Sequence, residues 1–324
     1  MQSEESYRDT FNAYLAEQFP EREPGQLYAP MRYILGSGGK RLRPLLLLMV
    51  ADALGGNFEQ ALPAALAFEI FHNFSLVHDD IMDAAPLRRG RETIHEKWDA
   101  NTAILSGDAM LIRSYQLFAG YDPPLYKSLV ELFSQTALEV CEGQQYDIDF
   151  ATRETVGMPE YLHMIRCKTA VLLAACVKAG AMIAGAREAV QRAGYEFGIH
   201  LGQAFQLQDD YLDAFGDPGT FGKQAGGDII ENKKTFLYLA SLEHLEPDAG
   251  RELEHLYSVR PADSHEKIER VKELFGQAGA GEMAKEAVEQ YTRKAFESLR
   301  QMGLGSDDLS QLLAFGKALM HRMA

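Results

Sequence analysis

Apolar residues recur at three- and four-residue steps along most of the chain, the spacing that gathers them on one face of a helix. This pattern predicts helices over Leu45–Leu54, Leu62–Ile81, Ala103–Phe118, Leu125–Val140, Ala170–Ile183, Ala189–Leu212 and Phe236–Leu242. It continues through Ile268–Phe275, Met283–Leu299 and Leu309–Met320. No alternation of apolar and polar residues around an Asn-Gly or Asp-Gly turn stands out, so no hairpin is predicted. The main breaks are Gly55-Gly56, Gly120 with Pro123-Pro124, Gly157 with Pro159, and the stretch from Gly216 to Gly227. None has the composition of a long linker, and no internal repeat or low-complexity tract is visible. The expected architecture is therefore all-α, a single large domain over residues 1–324 with about ten or more helices.

Composition narrows the setting. Hydrophobic residues make up 46% of the 324 positions and charged residues 24%, a globular balance. Lys and Arg number 32 against 47 Asp and Glu, a formal charge of −15. Such a chain repels nucleic acid and anionic membrane surfaces, so neither is an expected partner. An anionic substrate would need local cations or metal ions. Met1 to Thr10 carries acids and no apolar core, unlike a targeting segment. Thr169–Ala186 approaches spanning length, but it contains Lys178 and is rich in Ala and Gly, the composition of a tightly packed interior helix. Cys141, Cys167 and Cys176 form no CxxC pair and no even disulfide set. The expected setting is thus a soluble protein of the reducing cytoplasm, without a membrane anchor.

The chemistry-bearing residues come in duplicate. Asp79, Asp80 and Asp83 lie in FSLVHDDIMD, and Asp209, Asp210 and Asp213 in FQLQDDYLD. Residues four apart share a helix face, so Asp79 projects with Asp83 and Asp209 with Asp213. Each cluster ends an apolar helix, where the macrodipole is already negative. One such cluster is ordinarily a solvated helix end. Two of them, with no basic residue inside either, point to bound cations, and oxygen-only donors suit Mg²⁺ bridged to phosphates.

Cations follow the same doubling. In GSGGKRLRP, Lys40, Arg41 and Arg43 stand between Gly36, Gly38 and Gly39 and the start of an apolar helix. A glycine-rich entry to a helix N-terminus is a phosphate cradle when basic side chains join it. Arg88, Arg89 and Arg91 follow the first acidic cluster, and Lys223, Lys233 and Lys234 follow the second. His72 lies seven residues before Asp79, two turns away on nearly the same face.

Taken together, GGKRLRP at Gly38–Pro44, DDIMDAAPLRRG at Asp79–Gly90, GQQYD at Gly143–Asp147, KTA at Lys168–Ala170, FQLQDDYLD at Phe205–Asp213 and GKQAGGDIIENKKT at Gly222–Thr235 resemble the trans-isoprenyl diphosphate synthases. The blocks keep that family's order; the tail resembles it only in being helical. The resemblance implies the isoprenoid-synthase fold, with helices around a central cavity, and a homodimer. It also implies a Mg²⁺-dependent prenyltransferase joining isopentenyl diphosphate to an allylic diphosphate. Asp79, Asp83 and Asp209 then become ligands to about three Mg²⁺ ions, supported by Asp80, Asp210 and Asp213. Arg88, Lys168, Thr169, Gln206, Lys223 and Lys233 match contacts to the allylic diphosphate. Lys40, Arg43, His72 and Arg89 match the isopentenyl diphosphate site, and Gln144 and Asp147 a supporting position near the first motif. Lys168, Thr169 and Gln206, with Asp80 and Asp210, form the implied catalytic set.

In this family bulky residues upstream of the first motif limit the product. Phe74 and Ser75 occupy the fifth and fourth positions before Asp79, without an insertion in the motif, a pattern resembling geranylgeranyl diphosphate synthases. Phe71, one turn further, is either the floor or core. A farnesyl diphosphate synthase is the alternative. A terpene cyclase would leave the Lys40/Arg43 cradle without a substrate, and a non-catalytic synthase subunit would not require every motif intact.

Overall fold

The computed structural model describes residues 1–216, 226–261 and 263–320. Helices α1 (Glu4–Gln18), α2 (Gly25–Leu35), α3 (Leu42–Ala53) and α4 (Phe58–Met82) open the chain. A two-residue ribbon follows, β1 (Leu87–Arg88) with β2 (Arg91–Glu92), then α5 (Ile94–Lys97), α6 (Ala100–Gln116) and a 3₁₀ turn at Leu117–Gly120. Next come α7 (Pro123–Thr152), α8 (Met158–Ile165), a π-helical turn at Arg166–Ala170, α9 (Val171–Ile183) and α10 (Glu188–Phe215). The described remainder holds α11 (Gly227–Ile230), α12 (Phe236–His244), α13 (Pro247–Leu256), α14 (His265–Ala278), α15 (Ala280–Arg300) and α16 (Ser306–Met320). The all-α expectation holds.

The ribbon corrects the expectation of no hairpin. Leu87 pairs with Glu92 and Arg88 with Arg91 in an antiparallel register. Arg89 and Gly90 both have positive φ, +53° and +72°, the signature of a tight hairpin turn. No alternation announced it because the paired residues are mostly charged and the turn reads Arg-Gly.

Two compact units divide the chain. The first comprises Met1–Ala137, Ala175–Tyr195 and Gln301–Leu309. Its centre is α3, where Leu45 through Ala51 are all buried, packed against α1 and α4. Pro44 sits in the first turn of α3, where no helical hydrogen bond is lost. Asn57 caps α4 by accepting from the Glu59 N–H, and Asp99 caps α6 through Thr102. Gly180 of α9 lets that helix lie on α3, since a Cβ there would stand 2.5 Å from the Leu47 carbonyl oxygen. The Ala- and Gly-rich stretch is thus an interior helix, and no described helix is long and apolar enough to cross a membrane.

The second unit comprises Leu138–Ala174, Glu196–Arg300 and Ser310–Ala324. Its core gathers Tyr161, Ile165, Leu207, Leu237, Leu253, Val271, Leu274 and Phe275, among others. Gly198 and Gly202 of α10 bring that helix against Ala174 and Ala170, where a Cβ would come within 2.3 Å and 2.5 Å of the partner Cα.

Candidate active site

In the first unit the glycine-rich loop before α3 meets the β-ribbon. Arg89 donates to the Gly38 carbonyl at 2.6 Å, and a Cβ on Gly39 would fall 2.7 Å from the same guanidinium. Gly39 is required for its φ of +122°, and a Cβ there would also push the Arg89 guanidinium aside. Arg41, at φ +52°, turns inward and forms a buried ion pair with Glu69 of α4 at 2.6 Å. It also donates to the Leu35 carbonyl at the end of α2. Glu69 is in turn held by the Asn73 amide, which donates to its side chain at 3.3 Å.

His72 lies among these groups. Burial, followed by the positive charges of Arg43, Arg89, Arg88 and Arg41, keeps its imidazole well below the ordinary histidine range, so it is neutral. Burial likewise lowers Arg43 and Arg89, with Glu69 opposing the shift in each. Arg41 is consumed by Glu69, and Arg88 by Asp80 at 2.7 Å. Among the described residues neither Arg43 nor Arg89 forms an ion pair within 4.0 Å, and the Arg43 Nε is buried without a partner. Of the four residues expected at the isopentenyl diphosphate site, Arg43, His72 and Arg89 converge here. Lys40 is exposed on the adjoining loop.

The first acidic cluster closes α4 as expected, with Asp83 as the C-cap. Asp79 is half-buried, Asp80 buried and Asp83 exposed. Burial raises the Asp80 carboxyl, and the Arg88 hydrogen bond works against that rise.

The second unit holds the other set. The π turn at Arg166–Ala170 is the feature that periodicity missed, because α8 runs through it into α9 without a break. Gly143 of α7 faces it, and a Cβ there would lie 2.2 Å from the Lys168 amide nitrogen. Lys168 then reaches back to Asp147 of α7 at 2.6 Å. The Thr169 hydroxyl donates to the Gln206 carbonyl oxygen at 2.8 Å, and the Gln206 amide donates to Asp210 at 2.9 Å. Tyr161, fully buried and absent from the expected set, donates its hydroxyl to the other Asp210 oxygen. Burial pushes Asp210 up to about 7 despite these two donors. Asp209 is half-buried at the same helix end.

Asp213 has a different task from its counterpart Asp83. It is buried, accepts the Asp228 N–H at 3.0 Å, and its carbonyl accepts the Gly226 N–H at 2.7 Å. Lys233 pairs with Glu231 at 2.7 Å. Burial disfavours its charged form, but Asp228, Asp147 and Glu231 together raise it above an ordinary lysine. Gln144 has a buried, unpartnered Oε1 beside this region of α7. Lys223 lies outside the described residues.

The residues tied to product length separate clearly. Phe71 is 1% exposed and stacks edge-on with Phe133, within a cluster that includes Phe68 and Phe118. It is core. Phe74 is half-buried, its ring 5.6 Å from Phe71 and 4.6 Å from His78. The Ser75 hydroxyl donates to the His72 carbonyl, as helical serines often do.

An all-helical chain with two such acidic helix ends, each followed by a cationic loop, has the form of an enzyme that handles diphosphates. The polyprenyl synthetase family profile matches residues 24–275, and the chain belongs to that family and is a prenyltransferase. It is 40% identical over 292 residues to a geranylgeranyl pyrophosphate synthase of Geoglobus acetivorans, covering 89% of this chain and 88% of that one. It is 36% identical over 297 residues to a geranylfarnesyl diphosphate synthase of Natronomonas pharaonis, covering 86% and 85%. A crystal structure of a geranylgeranyl pyrophosphate synthase superposes with TM-score 0.96 at 51% identity, covering 99% of each chain.

Proposed function

We propose that this chain lengthens an allylic diphosphate with isopentenyl diphosphate and releases geranylgeranyl diphosphate, acting as one catalytic domain in the cytoplasm. The observation that carries the reading is the cluster around His72. In a chain of net charge −15, the Arg43 and Arg89 guanidinium groups are held beside a neutral imidazole and, among the described residues, form no ion pair within 4.0 Å, which supports a binding site for a diphosphate. Similarity to geranylgeranyl synthases supports the twenty-carbon product.

Arg43, Arg89, His72 and Lys40 hold isopentenyl diphosphate, with His72 contributing a neutral donor. Arg88, Lys168 and Lys233 hold the allylic diphosphate, with Lys223 expected beside them. Asp79, Asp83 and Asp209 fit Mg²⁺. Their donors are all oxygen. That suits an ion which takes one or two carboxylates and completes its shell with water and substrate phosphate. Bound there, Mg²⁺ would supply positive charge to the departing pyrophosphate.

The cationic side chains stabilise the same departing group as the allylic C–O bond breaks with its electron pair. The Lys168 carbonyl, the Thr169 hydroxyl and the Gln206 amide offer dipoles to the carbocation left behind. The double bond of isopentenyl diphosphate, held nearby, supplies the electron pair of the new C–C bond. Loss of a proton to the released pyrophosphate restores a double bond in a product five carbons longer.

The test is a product assay. Purified protein receives labelled isopentenyl diphosphate, Mg²⁺, and in turn the five-, ten- and fifteen-carbon allylic starters; products are dephosphorylated and sized. A dominant twenty-carbon alcohol is expected. A fifteen-carbon stop would retain the reaction and overturn the product assignment. No elongation would return the cyclase and partner-subunit readings.

A homodimer is part of the proposal. Leu105 and Ile112, seven residues apart on α6, are each 60% exposed, and Ile104 is 42% exposed beside them. Apolar side chains this exposed along one helix support a covered face. Sedimentation equilibrium should give twice the chain mass; Leu105→Glu with Ile112→Glu should give the monomer.

A further inference from the structure

Resting on the assignment of Lys233 to the allylic diphosphate, we propose that Lys267 is a positioning residue that fixes Lys233 by clamping its neighbour Asn232.

Lys267 lies in the tail, beyond every motif block, at the third residue of α14, and is only 4% exposed. Two forces oppose an ammonium there. Burial removes it from water, and the first turn of a helix is the positive end of the macrodipole. Burial, together with Arg260, does hold its ammonium below the ordinary lysine value. A charge kept against both forces needs local compensation, and the structure shows where it comes from. Nζ donates to the Asn232 side-chain oxygen and to the Val259 carbonyl at 3.0 Å, and it lies 5.8 Å from the centre of the Tyr257 ring.

Asn232 adopts a left-handed conformation, φ +62°, immediately before Lys233. Its amide also donates to the Val259 carbonyl at 3.4 Å. The segment from Asp228 to Lys233 is therefore anchored at two ends. At the first, Asp213 of the second acidic cluster accepts the Asp228 N–H, and the Asp228 carbonyl accepts the Lys233 N–H at 2.9 Å. At the other, Lys267 holds Asn232 in the turn that aims the next residue. Removal of Lys267 releases that turn and leaves the Lys233 side chain to wander, while the acidic cluster and its helix stay intact.

The experiment is steady-state kinetics on the full chain with farnesyl and isopentenyl diphosphates and Mg²⁺. It compares wild type with Lys233→Ala, Lys267→Met, Asn232→Gly and the double variant Lys233→Ala/Lys267→Met. Asn232→Gly accommodates the positive φ and removes only the clamped side chain, so it tests the same link if Lys267→Met fails to fold. Lys267→Met and Asn232→Gly should each raise the KM for the allylic substrate about tenfold and leave that for isopentenyl diphosphate within about twofold. In the Lys233→Ala background the Lys267 substitution should add nothing. A folded variant with wild-type allylic KM overturns the inference, as does an effect undiminished once Lys233 is gone. An inactive wild type would overturn the prenyl-transfer reading and this inference with it. An active wild type with those same variant results overturns this inference alone.

Discussion

Glu69→Gln removes one charge from the buried pair beneath the His72 cluster and changes almost no volume. Arg41 and Glu69 are 6% and 3% exposed, their charged atoms 2.6 Å apart, and the positive charge of Arg41 is felt by both Arg89 and His72. Deleting one partner of such a pair leaves an uncompensated buried charge, which costs about 3–5 kcal/mol. At about 2.1 cal/mol/K per residue, 324 residues give an unfolding entropy near 0.7 kcal/mol/K. The melting temperature should then fall by about 4–7 °C. The companion variant Glu69→Leu/Arg41→Met removes both charges and leaves an apolar contact, so it should recover at least half of that loss. Differential scanning calorimetry of the substrate-free protein at neutral pH reads both. A fall below about 1 °C in Glu69→Gln, or a double variant that melts as low as the single one, would refute the claim that this pair is the structural base of the cationic cluster.

Three further outcomes can be checked directly. Asp79→Ala and Asp209→Ala should each lower kcat by about two orders of magnitude or more with unchanged helical circular dichroism; near-normal turnover in either would remove it from the metal-binding set. Phe74→Ala should shift the sized products to longer chains, and an unaltered distribution would take away its role in limiting length. His72 is neutral in the fold but takes a proton near pH 6.5 when unfolded, so the unfolded state binds more protons below that pH. Stability contributed by His72 is thus full above pH 6.5 and declines as the pH falls, by at most about 1.4 kcal/mol per unit, a slope that His72→Gln should flatten in pH-dependent melting curves.

The helices legible in the sequence are those with a wide apolar face. The apolar period of Leu62–Ile81 lies within α4, and that of Leu45–Leu54 covers α3 from its fourth residue onward. By contrast α1 buries only Tyr7 and Phe11, too few contacts to write a period, so a helix capped by Ser3 went unread. Helix α7 runs twelve residues past Val140 through Glu142 to Asp149, a mostly polar stretch in which Gly143 and the aspartates break any apolar period, so a hydrophobic pattern cannot register it. The acidic clusters were legible because charge at the end of an apolar helix is conspicuous. Their supports were not. Tyr161, Asn232 and Lys267 act through contacts 49, 35 or fewer residues distant along the chain, and nothing local marks them. Glu69 and Asn73 did leave a trace, two polar residues four apart inside an apolar helix, the spacing of a buried hydrogen-bonded pair.

The two acidic clusters share a sequence, yet the fold treats their aspartates differently, and the differences bear on which of them can serve a cation. In both, the second aspartate is buried and bound inward: Asp80 by Arg88, Asp210 by Tyr161 and Gln206. A carboxylate whose oxygens are already committed to protein donors must give up those bonds before it can join a metal shell, and each lost bond leaves a buried donor unsatisfied. The first aspartates, Asp79 and Asp209, stand half-exposed. The third positions part company. Asp83 is an exposed helix cap, whereas Asp213 is 8% exposed and holds the Asp228 amide that begins the Lys233 segment. Burial thus sorts the six positions: Asp79 and Asp209 are half-buried, Asp83 is exposed, and Asp80, Asp210 and Asp213 are buried. The same accounting gives Asp213 a reason to be acidic without touching a cation. Substituted by Asn, it would present an amide oxygen to Asp228 and keep the segment in place; substituted by Ala, it would release that end of the segment as loss of Lys267 releases the other.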